Sequence, residues 1–508
     1  MASGIDHTSI GITKWLQKEF LRKKLLSPLG IALLMLVGVI FGFLATTDFY
    51  LVDFVFGGVL IVIIIVYYCI FKPLIGFYIL TFSSFFVFYP SHLVGQDLPL
   101  SPGLEIMAIF LFLGIFLSAK NNAEGKGNLL KTPASIGIIL IMVFSIIEAF
   151  NPSIAGMGLS GWISFFKRYM FCVIIYVITY RVIDTPSKLR FYLKFWIILS
   201  FVAGLYGCLQ QWIGYLPSEL AYIKSKPVEY ELMNQDGLLR KFSFFSDVVS
   251  FGILSGSMSV LTLLLAINEK DKKRKYVLLF FTLIMALGMA YSGTRTTTIL
   301  IPAGFALYGF LTIQSKTTII ALFSFVLVCL VVLFAPIYNP TMLRIRSTFD
   351  SKNESLNVRN VHRHYIQPYI YAHPIGGGIN TSGVEGETYY PLHPLAGFPP
   401  DSGLLKSALE IGWVGLALTI FFNFLILYQG IQYHFKIYNV EYRKYIAVLI
   451  STLFPIIVAQ YSQIIFGQIP DTIFFFGALS LMKRLLEFDE EEQYRKLIKK
   501  TLPDESIH

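Results

Sequence analysis

Long apolar runs recur along the chain and are separated by short polar connections, many of them basic. A helix needs about 20 apolar residues to cross the hydrocarbon core of a bilayer. The pattern therefore predicts about fourteen membrane-spanning helices, the first near residues 31–45 and the last near residues 472–482. We expect an all-α fold, a polytopic transmembrane helical bundle of about 12–14 spans.

Two polar stretches, residues 214–246 and 337–400, are longer than the usual connection between helices. The second one separates two groups of predicted spans. We therefore divide the chain into a basic N-terminal segment (1–26), a first helical region (27–336), a large and partly helical outer loop (337–400), a second helical region (401–486) and a charged tail (487–508).

Composition agrees with the membrane assignment. Charged residues make up 14% of the 508 residues and hydrophobic residues 55%, whereas soluble domains carry about 25% charged residues. The net charge of +10 does not indicate a nucleic-acid partner, because most lysines and arginines lie in alternate connections and in the two tails. This distribution predicts cytoplasmic termini and puts both long polar stretches and the turn at residues 291–296 on the outer side.

The four cysteines all lie in apolar runs and lack metal or disulfide spacing, so we expect them to be small packing residues. No set of residues has the spacing of a zinc site, a calcium site or an Asp-rich magnesium site. We therefore expect no metal and no other cofactor.

Arg295 is the first candidate for chemistry, since it lies between two apolar runs in the sequence YSGTRTTT. A charged residue at the edge of a membrane needs a partner. One interpretation is a long side chain that reaches the interface; the other is an anion ligand in an outward-facing cavity. The neighbouring hydroxyl groups favour a polar cavity; they belong to Ser292, Thr294, Thr296 and Thr297.

The outer loop contains VRNVHRHYIQPYIY, in which Arg359 and Arg363 are four residues apart and His362 lies between them. If this segment is helical, both arginines face one side. Guanidinium groups match phosphate oxygens, so the set is a candidate diphosphate receptor; a solvated basic face is the alternative. Arg344 and Arg346, earlier in the loop, are candidates for lipid headgroup contacts.

Asp401 follows two prolines and precedes a strong apolar helix pattern. With Ser402, it can cap the start of that helix. A carboxylate at the mouth of a cavity, near several arginines, can also act as a general base. Lys406 and Glu410 are four residues apart in the same predicted helix, and we expect them to pair structurally.

Other cations are candidates for substrate binding. Lys167 and Arg168 lie about two turns inside a predicted span and need carboxylate or phosphate partners there. Arg240 precedes an aromatic run, FSFF, that suits the membrane interface.

The order and spacing of these motifs resemble those of the O-antigen ligase and Wzy polymerase superfamily. The resemblance is carried by the SGTR turn, by R-x-x-H and HPIGGG in the outer loop, and by DSGLLKSALEIGWVG at the next span. It covers about residues 235 to 430. It implies a C-type membrane glycosyltransferase that needs no metal and acts on the periplasmic face of the bacterial inner membrane.

The resemblance also implies partners and site residues. The partners are an undecaprenyl-diphosphate-linked oligosaccharide, an acceptor glycan and the lipid bilayer, and a chain-length regulator is a further candidate. Arg295 takes the position of the arginine in the family's Ser-to-Arg turn. Arg359 takes that of an arginine three residues before a tryptophan, which is His362 here, and Arg363 is the fallback.

The histidine that is the proposed base in ligases falls on Asp401 in this sequence. This departure favours a polymerase of O-antigen or exopolysaccharide repeat units that inverts the anomeric configuration. His393 is a second candidate for the base if the loop folds back. The alternatives are a ligase that attaches glycan to lipid A-core or protein and, in another class, a transporter of lipid-linked oligosaccharide.

Overall fold

The computed structural model describes residues 50–118, 128–235, 238–336, 339–347 and 354–501. The predicted N-terminal segment and the first predicted span lie outside these residues. Apart from one antiparallel ladder between β1 (Asn234–Gln235) and β2 (Leu238–Leu239), the regular structure described is helical. The predicted all-α bundle is thus confirmed.

The helices are numbered in chain order. Those before the ladder are α1 (Tyr50–Phe71), α2 (Pro73–Phe86), α3 (Tyr89–Val94), α4 (Ser101–Ser118), α5 (Pro133–Ile147), α6 (Ser160–Val182), α7 (Pro186–Trp212), α8 (Pro217–Lys224) and α9 (Pro227–Met233). Those after it are α10 (Val248–Asn268), α11 (Lys272–Tyr291), α12 (Leu300–Thr312), α13 (Lys316–Phe334), α14 (Pro340–Ser347), α15 (Glu354–Ala372), α16 (Gly383–Tyr389), α17 (Gly403–Glu410), α18 (Gly412–Lys436), α19 (Val440–Ala459) and α20 (Asp471–Thr501).

The chain forms two compact units. The first comprises Met1–Ser83 and Pro102–Gly127, and the second comprises Ser84–Ser101 and Asn128–His508. In the first unit, the buried apolar side chains belong to α1, α2 and α4 and include Cys69, Phe77 and Leu111. The second unit contains every candidate site residue named above.

Helix α10 is the centre of the second unit, and α7, α11, α12 and α19 pack against it. Its small residues, among them Ser255, Gly256 and Ser259, let neighbouring backbones approach closely. At Gly252, an added Cβ atom would lie 2.4 Å from the Oγ atom of Ser292. Helix α10 therefore supports the turn that follows α11, where Arg295 lies.

Nine helices among the described residues are long and apolar enough to cross a membrane, and two apolar helices are shorter, Gly58–Phe71 and Ser101–Leu117. The predicted tenth span is represented by α12, which has only 13 residues. It starts at Leu300 because the preceding residues, Arg295–Ile299, form a 3-10 turn. The predicted last span is the first part of α20, which continues without a break into the charged tail.

The outer loop is partly helical, as expected, and contains α14, α15 and α16. The sequence predicts one continuous helix from Asp401, but the structure has two helices there, α17 and α18. They separate where Gly412 adopts a φ of +62° and the Trp413 amide donates to the Pro374 carbonyl at 2.8 Å. The HPIGGG segment thus packs against the break between the two helices.

The other long polar stretch, residues 214–246, folds into α8, α9 and the β-ladder. Glu219 is fully buried there and accepts hydrogen bonds from the Tyr206 hydroxyl at 2.8 Å and from the Leu216 amide at 2.9 Å. Ile223, Phe242 and Val248 form a small apolar core. This core fixes the segment that carries Arg240.

The expectation that the cysteines are packing residues is confirmed for Cys69, Cys172 and Cys208, which are buried; Cys329 is half-buried.

Candidate functional site

The turn that carries Arg295 is built by its own hydroxyl groups. The Ser292 hydroxyl donates to the Met289 carbonyl at 2.7 Å, and its oxygen accepts from the Thr294 amide at 3.3 Å. Between them, Gly293 has a φ of +62°, a conformation that glycine adopts at little cost. The chain then enters the 3-10 turn with Arg295 as its first residue.

Two arginines from distant segments lie against this turn. Arg240 donates from Nε to the Ser292 carbonyl at 3.0 Å and from Nη2 to the Thr294 hydroxyl at 2.7 Å. Arg344, in α14, donates from Nε to the Gly293 carbonyl at 2.6 Å. Both side chains cross the space that a side chain at Gly293 would occupy, since an added Cβ atom would lie 3.1 Å from Arg240 and 3.2 Å from Arg344.

A cavity of about 400 Å³ opens beside the turn, and Arg240, Arg295 and Arg344 all line it. We call this cavity the arginine pocket. Burial, together with the charges of Arg344 and Arg295, lowers the pKa of Arg240 to about 10, although Asp247 opposes the shift. Arg240 therefore remains charged at neutral pH, and an anion in the pocket would relieve the repulsion among the three guanidinium groups. A diphosphate has the charge and the oxygen geometry for this role.

His362 and Asp401 form a pair beside the membrane-spanning bundle. Nδ1 of His362 lies 3.5 Å from Oδ2 of Asp401, and within the described residues neither atom has a hydrogen-bond partner. Asp401 does not cap the helix that follows it; the cap is Ser402, whose hydroxyl accepts from the Leu405 amide at 3.1 Å. The Asp401 carboxylate is thus available for another role.

The segment Tyr461 to Gln463 connects these parts of the site. The Ser462 hydroxyl lies 2.8 Å from the Thr296 hydroxyl, one residue after Arg295. The Gln463 carbonyl accepts from the Gly403 amide at 3.1 Å, two residues after Asp401. The Arg295 turn and the Asp401 turn therefore contact the same three-residue segment.

The two arginines of the VRNVHRHY motif lie on α15, one turn apart. Arg363 donates to the Tyr461 hydroxyl at 3.1 Å, and its guanidinium carbon lies 4.8 Å from the centre of the Tyr461 ring. It is held at the connecting segment and does not line the arginine pocket. The side chain of Arg359 lies outside what the structure describes, so its predicted role stays a prediction.

His393 lies in the interior of the outer loop and is 5% exposed. Its Nδ1 atom accepts from the Leu395 amide at 3.2 Å. Burial, together with the charge of His373, lowers the pKa of His393. The ring is packed inside the loop and its Nδ1 atom is engaged by a backbone amide. The predicted role of His393 as a base stays a prediction.

Lys167 and Arg168 lie apart from the arginine pocket, on α6. Arg168 has the carboxylate partner that its position requires, because its Nη1 atom lies 3.9 Å from Glu385. Lys406 contacts the same Glu385 carboxylate at 3.4 Å and Glu410 at 3.8 Å. This cluster joins α6, α16 and α17 by charge, and the expected pairing of Lys406 with Glu410 is present.

A family model described as O-Antigen ligase matches residues 280–420. The match confirms the resemblance to the O-antigen ligase and Wzy superfamily. It extends from the middle of α11 into α18 and so includes Arg295, Arg344, His362 and Asp401. Among curated proteins, none matches the chain.

Arg344 is the site residue for which the sequence suggested a different role, that of a headgroup contact. Its place in the arginine pocket depends on α14 folding back onto the turn at Gly293, 51 residues earlier in the chain. The residues of α14 themselves carry no signal for that contact, because PTMLRIRS resembles any short basic interfacial helix. The O-antigen ligase family match covers Arg344 but assigns it no role.

Proposed function

We propose that this protein is a membrane glycosyltransferase that moves a glycan from a polyprenyl-diphosphate donor to an acceptor hydroxyl on the outer face of the membrane. The observation that carries the proposal is the arginine pocket, where three guanidinium groups from three segments line one cavity. The second support is the His362–Asp401 pair, which is linked to the same connecting segment. The O-antigen ligase family match agrees with this class of reaction.

In the proposed reaction the acceptor hydroxyl attacks the anomeric carbon of the donor sugar. The new bond forms between that carbon and the acceptor oxygen, and the bond to the diphosphate oxygen breaks with its electron pair. The arginines stabilise the negative charge that grows on the leaving polyprenyl diphosphate. The acceptor proton passes to the His362–Asp401 pair, and back-side attack inverts the anomeric configuration.

The pair supplies the acid–base chemistry in one of two ways. Asp401 takes the proton while His362 holds the carboxylate in place, or His362 takes it while Asp401 fixes the ring. We favour Asp401, because it occupies the position of the base in the related ligases. An aspartate at this position supports a polymerase of repeat units, whereas the description of the matching family favours a ligase.

The test compares Arg295→Ala, Asp401→Asn and His362→Gln in a strain that lacks its own polymerase. We expect Arg295→Ala to reduce long glycan chains by about 10²–10³-fold, the usual cost of losing one charge-stabilising contact. We expect Asp401→Asn to reduce them by about 10²–10⁴-fold, the usual contribution of a general base. If Asp401 is the base, His362→Gln retains more activity than Asp401→Asn; the reverse order identifies His362. Normal chains from both Arg295→Ala and Asp401→Asn would refute the proposed site.

The gel pattern also separates the two family activities. A strain without a polymerase still places single repeat units on the final carrier, whereas a strain without a ligase places none. Complementation by this protein of the first defect only supports a polymerase, and complementation of the second only supports a ligase.

A further inference from the structure

A second cavity, of about 1220 Å³, lies at the other end of α11 from Arg295. Six cations line it, together with the carboxylates of Glu269 and Glu441: Arg190, Lys194, Lys270, Lys273, Arg274 and Lys444. We call this cavity the basic groove. It lies where α7, α11 and α19 begin and where α10 ends.

The basic groove and the arginine pocket lie at opposite ends of one predicted span. Helix α11 has 20 residues, from Lys272 to Tyr291. At about 1.5 Å per residue it is about 30 Å long, the thickness of the hydrocarbon core of a bilayer. The groove is therefore at the membrane surface that the distribution of basic residues predicts to be cytoplasmic.

The groove keeps a net positive charge, because six cations line it against two carboxylates. Arg190 pairs with Glu441 at 3.3 Å, and Arg274 pairs with Asp271 at 3.6 Å. Glu269 accepts from two backbone amides, those of Lys270 and Asp271. In the described part of the chain, no ion pair involves any of the four lysines of the groove, Lys194, Lys270, Lys273 and Lys444.

The wall of the groove is apolar and continues along the membrane-spanning helices. Phe191 is 56% exposed and Val277 is 51% exposed, and Ile197, Leu278 and Val448 extend the wall. Ile197 is 11 residues beyond Pro186, the first residue of α7. At about 1.5 Å per residue it lies about 16 Å along the helix, a depth that acyl chains reach and headgroups do not.

We propose that the basic groove binds an anionic phospholipid. The phosphate lies among the lysines, and the acyl chains run along the wall that includes Phe191 and Val277. Basic pockets between membrane-spanning helices recognise anionic headgroups in this way. A soluble phosphate compound would match the lysines and leave the apolar wall without a partner. The combination of lysines and an apolar wall therefore favours a lipid.

The test measures lipid retention by native mass spectrometry on the full-length protein purified in detergent. Phosphatidylglycerol is the anionic probe and phosphatidylethanolamine the zwitterionic one. We expect tighter retention of phosphatidylglycerol, and the double variant Lys194→Gln/Lys273→Gln to weaken it about tenfold or more, because each lysine near an anionic surface contributes several-fold to binding. The charge-preserving variant Lys194→Arg/Lys273→Arg should retain the lipid.

The matched control is Lys272→Gln/Lys275→Gln, which removes two charges from the same end of α11 without altering residues that line the groove. Retention close to that of the wild type in this control supports the groove. An equal loss in both double variants would mean that diffuse charge attracts the lipid and would overturn the proposal. Equal retention of the two lipids, or displacement of phosphatidylglycerol by inorganic pyrophosphate at constant ionic strength, would overturn it as well.

Discussion

At the scale of single residues, Gly293 shows how backbone conformation makes room for charge. Its positive φ turns the chain after α11, and the missing side chain leaves the space through which Arg240 and Arg344 reach the backbone of the turn. Each arginine donates one N–H group to a backbone carbonyl of this turn, and this hydrogen bond fixes the planar guanidinium group. The guanidinium groups are thus held in place before a ligand arrives, which reduces the cost of binding.

Arg344 is expected to act in the proposed reaction, and Arg346 provides its matched control. Arg346 lies two residues later in the same helix, donates to the Val332 carbonyl at 3.1 Å and does not line the arginine pocket. We expect Arg344→Ala to lower the rate of glycan transfer by about 10²–10³-fold, as for other charge-stabilising contacts. The purified enzyme with a lipid-linked donor provides the measurement, and equal losses for Arg344→Ala and Arg346→Ala would contradict the assignment.

Lys241, next to Arg240, gives a prediction about stability. It is 7% exposed, and its Nζ atom lies 4.4 Å from the centre of the Tyr215 ring. Burial lowers the pKa of Lys241 from 10.5 to about 8, while Glu219 opposes the shift. Between pH 8 and pH 10.5 the unfolded chain holds a proton that the native protein has released, so this lysine makes the free energy of unfolding rise with pH.

We therefore expect Lys241→Met to be more stable than the wild type at pH 7, by about 2 kcal/mol. The reason is that methionine carries no charge, so the cost of burying the lysine ammonium group is removed. The difference should shrink as the pH rises from 8 towards 10.5. Thermal unfolding in detergent at several pH values measures it. Lys224→Met, at an exposed position of the same outer segment, is the control and should show no such trend.

At the scale of elements, a single carboxylate joins the HPIGGG segment to the helices after the loop. Glu410 is 4% exposed, at the end of α17. Its carboxylate accepts from the backbone N–H of Asn380 at 2.9 Å and from the Ser382 hydroxyl at 2.5 Å. The pattern of the sequence predicts its pairing with Lys406 but not these bonds, because they join residues about 30 positions apart whose approach depends on the glycine turn.

Glu410→Ala is expected to lower the free energy of unfolding by about 2–4 kcal/mol, because it leaves two buried donors without an acceptor. Glu385→Ala is the control, since its ion pairs with Arg168 and Lys406 are partly exposed and worth about 1 kcal/mol or less. Thermal unfolding of both purified variants tests the expectation. Equal stability of the two variants would show that the Glu410 hydrogen bonds do not hold the loop.

At the scale of the whole molecule, the positive-inside rule predicts which surface carries each site. Tyr438, between α18 and α19, is 74% exposed, and Val384, in the outer loop, is also 74% exposed. With the native cysteines replaced by serine, we expect Val384→Cys to react with an impermeant maleimide in intact spheroplasts. Tyr438→Cys should react only after the membrane is permeabilised, and the opposite pattern would reverse the predicted orientation.

The sequence by itself determined the features that depend on local pattern. Apolar runs of bilayer length predict the spans, and the basic connections predict their orientation. The SGTR turn identifies Arg295 as a candidate site residue, because a charged side chain beside the membrane is costly unless it has a partner. The sequence also determined the start of the helix after Asp401, although the cap proved to be Ser402. It left the helical character of α15 open, and the structure shows that helix.

Only the tertiary structure decided which of many cations share a cavity. Arg240 and Arg344 approach Gly293 from positions more than 50 residues away on either side. Nothing in the local periodicity around either arginine distinguishes it from Arg168 or Arg363, which contact other partners. Such contacts arise from helix packing and from glycine turns that let separate segments meet, and these are properties of the folded chain as a whole.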